Sequence, residues 1–150
     1  MIYLDSLQRY TEAVAEAETT LMQEPDNGIV VSNLAALYQR VGDKRALQFA
    51  ERAMQLAPES PAVADTLGWI LVQSDRLPRG LELLRQAMAQ KPDDPVIGYH
   101  LAAAFAKTGQ REAALQELAI VTQLIKLSQN KPSPQLLEDV KKLQESLQQK

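Results

Sequence analysis

His100 is the single histidine among 150 residues, and the chain contains no cysteine. The absence of cysteine excludes thiolate nucleophiles, disulfide scaffolds and cysteine-ligated zinc or iron–sulfur centres. A lone imidazole with scattered carboxylates lacks the ligand spacing of a zinc site. The six glycines stand apart from one another and form no glycine-rich phosphate loop. The sequence therefore predicts neither a metal nor a cofactor.

Ser32, Asp65 and His100 supply the residue types of a hydrolase triad. A triad also requires a fixed geometry and an oxyanion hole, and no nucleophile-elbow motif surrounds Ser32. Three roles stay open for His100: a structural polar ladder with Asp65, a ligand contact, or catalysis. The structural role is favoured, so we predict that the chain is not an enzyme.

The charge of the chain is balanced and slightly acidic, with 16 Lys and Arg against 19 Asp and Glu and a net charge of −3. No block of basic residues marks a nucleic-acid or anionic membrane surface. The longest strongly apolar stretches, 67–72 and 101–106, are far shorter than the ~20 residues of a spanning helix. Residues 1–5 also lack the regions of a secretory signal. We expect no nucleic-acid partner, no membrane span and no export signal in this chain.

An internal repeat of 33 to 34 residues organises the sequence and decides where these side chains lie. Each unit divides into two helical stretches around a turn, and apolar residues recur at three-and-four spacing in each stretch. This pattern predicts an all-α fold. The repeat is marked by Pro25, Pro58 and Pro92, by Leu34, Leu67 and Leu101, by Tyr38, Leu71 and Phe105, and by turns at Gly42, Asp75 and Gly109.

The repeat predicts three helix pairs flanked by one helix at each end. The pairs occupy 28–60, 61–94 and 95–128. Residues 1–27 form an N-terminal helix in register with the second helices, as the second half of a preceding repeat. Residues 133–149 form a C-terminal capping helix with Ser133 as N-cap and Pro134 at the first helical position. Its apolar face (Leu136, Leu137, Val140, Leu143 and Leu147) covers the last repeat or, alternatively, forms a dimerisation strip.

The repeated residues resemble the tetratricopeptide repeat (TPR). This resemblance implies a TPR-type α-solenoid, a right-handed superhelix of antiparallel helix pairs whose first helices line a concave groove. In the first unit it is carried by Asn33, Leu34, Ala35, Tyr38, Gly42, Asp43, Ala46, Phe49, Ala53 and Pro58.

A narrower resemblance links residues 65–71, 79–84 and 99–102 to the C-terminal repeats of large bacterial TPR lipoproteins of PEP-CTERM/exosortase polysaccharide-export systems. The lipoprotein cysteine and export signal of those proteins are missing here. The resemblance implies a periplasmic or outer-membrane-associated protein if the parent is such a lipoprotein, and a cytoplasmic one otherwise.

Superposing the three units on a TPR groove places ten residues on its concave face. Trp69 and Tyr99 suit peptide contact, although Trp69 could instead pack between neighbouring first helices. Arg40 and Lys107 could steer an acidic peptide terminus or simply be solvated. The predicted groove consists of Ser32, Asn33, Arg40, Asp65, Thr66, Trp69, Gln73, Tyr99, His100 and Lys107.

These observations predict a non-catalytic scaffold that binds a peptide or partner protein in the groove, as a fragment of a larger bacterial TPR protein. The alternative is a structural spacer or terminal cap of a longer array. Apolar residues spread around the N-terminal helix predict an adhesive edge with weak self-association, or a first turn that reorganises to cover it. They are Leu4, Leu7, Val14, Leu21 and Met22.

Overall fold

The computed structural model describes residues 2–149, with side chains from residue 7 onward, and this part of the chain contains eight α-helices and no strand. In that part, no helix has both the length and the apolar character needed to cross a membrane. The helices are α1 (Ile2–Gln23), α2 (Gly28–Val41), α3 (Ala46–Leu56), α4 (Pro61–Gln73), α5 (Leu77–Gln90), α6 (Pro95–Lys107), α7 (Arg111–Leu127) and α8 (Pro134–Gln148).

The helices stack as three pairs, α2 with α3, α4 with α5 and α6 with α7. Each pair also contacts the next one, because the first helix of the next pair packs against both helices of the pair before it: α4 against α2 and α3, and α6 against α4 and α5. α1 packs against α2, and α8 packs against both α6 and α7. The predicted arrangement of one N-terminal helix, three pairs and one C-terminal helix is confirmed.

Side-chain caps begin each first helix and α8. The side-chain oxygens of Asn27, Ser60, Asp94 and Ser133 accept hydrogen bonds from backbone N–H groups of the following turn. Proline at the first helical position of α4, α6 and α8 removes an N–H that has no partner in the helix. The predicted cap at Ser133 is confirmed.

Each pair turns through a residue in the left-handed region. Gly42, Asp75 and Gly109 have φ of 75°, 61° and 79°. Glycine adopts this conformation without a steric penalty, whereas Asp75 carries a side chain there. The predicted turn positions are confirmed.

The contact between α4 and α5 is especially close because both helices present glycine. A Cβ on Gly80 would lie 2.9 Å from the carbonyl oxygen of Gly68 and 3.0 Å from the backbone nitrogen of Val72. The other two pairs have alanine at both equivalent positions.

The apolar residues of the N-terminal edge are covered in part by packing on α2. Val14 and Leu21 pack against the core formed with α2, and Leu7 is also partly covered. Met22 is exposed at 85%, while Leu4 lies outside the described side chains. Self-association through this edge stays a prediction.

Helix α8 covers the open side of the last pair. Leu136, Val140 and Leu147 are buried against a cluster that includes Leu118 of α7. Leu137, predicted on the apolar face, is instead 47% exposed because it points away from the pair.

Candidate functional site

A cavity of about 560 Å³ opens on the side of the solenoid where the first helices lie. Side chains from α2, α4 and α6 form three of its walls, and α8 with the loop before it forms the fourth. The lining comprises Ala36, Gln39, Arg40, Asp65, Thr66, Trp69, Ile70, Gln73, Val96, Tyr99, His100, Ser133, Gln135, Leu136 and Asp139.

A buried polar pair joins α4 to α6 in the cavity. Nδ1 of His100 lies 2.7 Å from Oδ1 of Asp65, and the two side chains are only 14% and 13% exposed. A carboxylate at this distance favours the tautomer in which Nδ1 carries the proton and donates. The polar ladder predicted for these residues is therefore present.

Three rings pack together next to this pair. Trp69 stacks on His100 with 4.2 Å between ring centroids and an angle of 17° between planes. Tyr99 lies 5.8 Å from both rings in tilted orientations. Trp69 therefore packs between neighbouring first helices, and it also lines the cavity. Its contact with a peptide stays a prediction.

Tyr99 stands between opposite charges from two walls. The pKa of Tyr99 is raised to about 12: burial is the largest cause, the negative charge of Asp139 on α8 adds to it, and the positive charge of Arg40 on α2 opposes it. The phenol is therefore neutral at physiological pH and keeps its hydroxyl as a hydrogen-bond donor.

The rim on α2 and α4 is occupied by amide and guanidinium groups. Gln39 donates from Nε2 to Oε1 of Gln73 at 2.8 Å, which links the two helices. Arg40 donates to the hydroxyl of Tyr10 at 3.2 Å, and its guanidinium lies 5.4 Å from the centroid of the same ring.

Seven of the ten predicted groove residues line the cavity, and three do not. Ser32 is 2% exposed, because its side chain is too short to extend from the helix contact as Asp65 and Tyr99 do at the equivalent positions. Asn33 is solvent-exposed outside the cavity, which is displaced toward α6 and α8. Nζ of Lys107 lies 3.4 Å from the carbonyl oxygen of Val72 and satisfies the end of α4 instead.

The triad geometry is not formed among the described residues. Ser32 makes no side-chain hydrogen bond there to either Asp65 or His100, and the Asp65–His100 pair faces an aromatic ring instead. Residues 7–149 also hold no group of three or more potential metal ligands.

The repeat pattern does not predict the fourth wall of the cavity. Ser133, Gln135 and Asp139 line it, and the one feature of the sequence that points to them is the apolar face by which α8 packs on the last pair. Its position over the groove depends on the loop of residues 128–133, which has no counterpart in the repeats.

Known proteins resemble this chain both in the sequence of its repeats and in its fold. The tetratricopeptide repeat family profile matches residues 71–124. Solved structures agree over nearly the whole chain: MamA AMB-1 superposes with a TM-score of 0.66 at 21% identity, covering 94% of this chain and 81% of that one. The fold is a TPR solenoid.

One further solved structure and one protein of similar sequence extend the comparison. YrrB, described as a TPR protein with an unusual peptide-binding site, superposes on the solenoid with a TM-score of 0.65 at 22% identity, covering 94% of this chain and 70% of that one. The TPR repeat-containing protein PA4667 of Pseudomonas aeruginosa is 32% identical over 83 residues. That match covers 53% of this chain and 14% of the length of PA4667.

Proposed function

We propose that this TPR solenoid is a non-catalytic scaffold that binds an extended peptide or a partner helix in the cavity of its concave face. The observation that carries the proposal is the cavity itself, which combines flat aromatic surface from Trp69 and Tyr99 with polar groups from four helices. Sites that bind peptides use this combination of anchoring rings and orienting polar groups. The description of YrrB as a peptide-binding TPR protein supports the same assignment.

A structural spacer within a longer array is the second candidate function. The stacking of Trp69 on His100 favours it, because this contact commits one face of the indole to packing between α4 and α6. The two functions differ in what they require of the cavity: a scaffold needs its free surface, whereas a spacer needs only the contacts between helices.

Peptide selection on the purified chain separates the two candidates. A random library of 12-residue peptides is selected on immobilised chain, and affinities of the selected peptides are measured by fluorescence anisotropy. For a scaffold, Tyr99→Ala and Trp69→Ala weaken binding by about 1–2 kcal/mol each. Gln123→Ala, at an exposed position on α7, is the matched control and leaves binding unchanged.

Circular dichroism melting accompanies each variant, because Trp69→Ala also removes a packing contact. A selected peptide that binds Tyr99→Ala and Trp69→Ala as well as the unaltered chain contradicts the scaffold proposal. If the selection yields no peptide that binds the chain, the spacer function is supported, because a spacer needs no ligand.

We further propose that the chain is part of a larger bacterial TPR protein of a polysaccharide-export or exosortase system. The motif at residues 65–71 supports this, as does the match to a much longer bacterial relative. The test is the reading frame upstream of residue 1 in the parent genome. A lipoprotein signal with its cysteine agrees with the proposal, and a frame that begins at residue 1 outside any such gene cluster contradicts it.

A further inference from the structure

The C-terminal helix α8 closes the cavity at the end of the solenoid. Ser133, Gln135 and Asp139 line it from this side and face Val96 and Tyr99 of α6. Buried apolar residues hold α8 in place on the last pair. Because α8 closes one end of the groove, an extended peptide cannot continue along the groove past α6. A peptide that binds here can instead direct one of its side chains into the cavity.

Carboxylates outnumber cationic groups among the residues that line the cavity. Asp65 on α4 and Asp139 on α8 supply two carboxylates, and Arg40 supplies the single guanidinium. The carboxylate of Asp65 is already paired with His100, so Asp139 is the one that faces a ligand. The hydroxyl and ring of Tyr10 hold Arg40 toward α1, on the far side of the cavity from α8. The wall formed by α8 is therefore acidic, and charge complementarity favours a cationic side chain there.

The rings and the hydrogen bonding of Asp139 favour an ammonium over a guanidinium. One oxygen of Asp139 already accepts a hydrogen bond from Gln135 at 2.9 Å, so the two parallel bonds of a guanidinium would have to share that oxygen, whereas an ammonium needs only the other one. The ammonium of lysine is a compact point charge that suits one acceptor, whereas arginine prefers two parallel bonds. The methylene stem of lysine also packs against aromatic rings such as Trp69 and Tyr99.

We infer that α8 selects the ligand: a lysine side chain of the bound peptide lies against Trp69 and Tyr99, and its ammonium pairs with Asp139. This inference rests on the proposed peptide-binding function and adds to it the chemical class of the ligand and a specificity-determining helix outside the repeats.

The test uses the full chain and an array of N-acetylated, C-amidated 12-residue peptides, so that lysine supplies the only ammonium. We expect the bound peptides to be enriched in lysine. Acetylation of that lysine weakens binding by about tenfold, and so does Asp139→Asn, because each removes one member of the same charge pair. Combining the two changes costs little more than either alone. Glu138→Gln, an exposed carboxylate next to Asp139, is the matched control and has no effect.

Charge reversal makes the result independent of any loss of stability. Asp139→Lys is expected to shift the selected peptides from lysine to Asp and Glu, since a destabilised chain would lose binding without changing preference. Selection of peptides without lysine, or equal affinity of Asp139→Asn and the unaltered chain for the lysine peptide, overturns the inference and leaves the scaffold function standing. If no peptide binds at all, both are overturned.

Discussion

The close contact between α4 and α5 makes Gly80 the position where one added methyl group has the clearest consequence. In Gly80→Ala the new Cβ would stand 2.8 Å from a methyl carbon of Val72, 2.9 Å from the carbonyl oxygen of Gly68 and 3.0 Å from the nitrogen of Val72. Two of these three atoms belong to the backbone, so the strain is relieved only when the helices move apart.

The size of the effect follows from two opposing terms. Alanine is about 1 kcal/mol more favourable than glycine inside a helix. Overpacking a close contact costs about 1–3 kcal/mol. Because backbone atoms provide most of the clash at Gly80, the cost of overpacking lies toward the upper end of this range. We therefore expect net destabilisation by about 1–2 kcal/mol. Urea unfolding followed by circular dichroism at 222 nm measures this free energy.

Gly68→Ala provides the matched comparison. Its Cβ would meet Leu84 at 3.0 Å and the carbonyl oxygen of Gly80 at 3.1 Å, so the clash is milder and falls partly on a side chain. We expect a smaller loss of stability than for Gly80→Ala. The double variant should cost less than the sum, because helices separated for one methyl group have room for the second, as in the two pairs with alanine at both positions.

A Gly80→Ala chain that is as stable as the parent, or more stable, would refute this reasoning. Helix propensity alone would then decide the result, and α4 and α5 would not approach as closely as the structure places them. A change in the urea dependence would instead indicate that a single pair unfolds separately from its neighbours.

Three further predictions concern single side chains. Asp75→Gly should stabilise the chain by about 0.5 kcal/mol. Glycine removes the strain of the left-handed conformation at φ 61°, and this gain is larger than the loss that comes from the greater entropy of glycine in the unfolded chain. A lower melting temperature would contradict this. Burial raises the pKa of Glu117, so the folded state disfavours its charged form, and Glu117→Gln should raise the free energy of unfolding at pH 7 but not at pH 3, where the carboxyl is neutral. Because burial raises the pKa of Tyr99 to about 12, the stabilisation that it contributes is full below pH 10 and is lost as the pH rises from 10 to 12; Tyr99→Phe should reduce the fall in urea-measured stability over that range, and an identical fall in both chains would contradict the assignment.

The repeated pattern predicted the helix pairs because each local signal agrees with the packing. Pro61 and Pro95 begin first helices, Gly42 and Gly109 reverse the chain, and the spaced leucines fill the core between pairs. Each of these features acts within one unit or between neighbours, where a sequence period is informative.

The part of the site that the sequence did not predict depends on contacts that do not recur from one repeat to the next. Ser32 occupies the same register as Asp65, but only the longer side chain reaches the cavity. Asp139 lines the cavity because the loop of residues 128–133, which has no counterpart in the repeats, places α8 there. The position of a residue in the repeat therefore predicts on which face of its helix it lies. Its side-chain length and the loops outside the repeats decide whether it reaches the cavity.

The attachment of α8 to a single pair also has a thermodynamic consequence. Among the described helices α8 contacts only α6 and α7, so it can undock while the three pairs stay folded. Because this helix supplies one wall of the cavity, the apparent affinity for a ligand is the intrinsic affinity multiplied by the fraction of molecules in which α8 is docked. Ligand and terminal helix are thus linked: occupancy slows amide hydrogen exchange in residues 134–148, and changes that loosen Leu136 or Val140 weaken binding without touching the ligand.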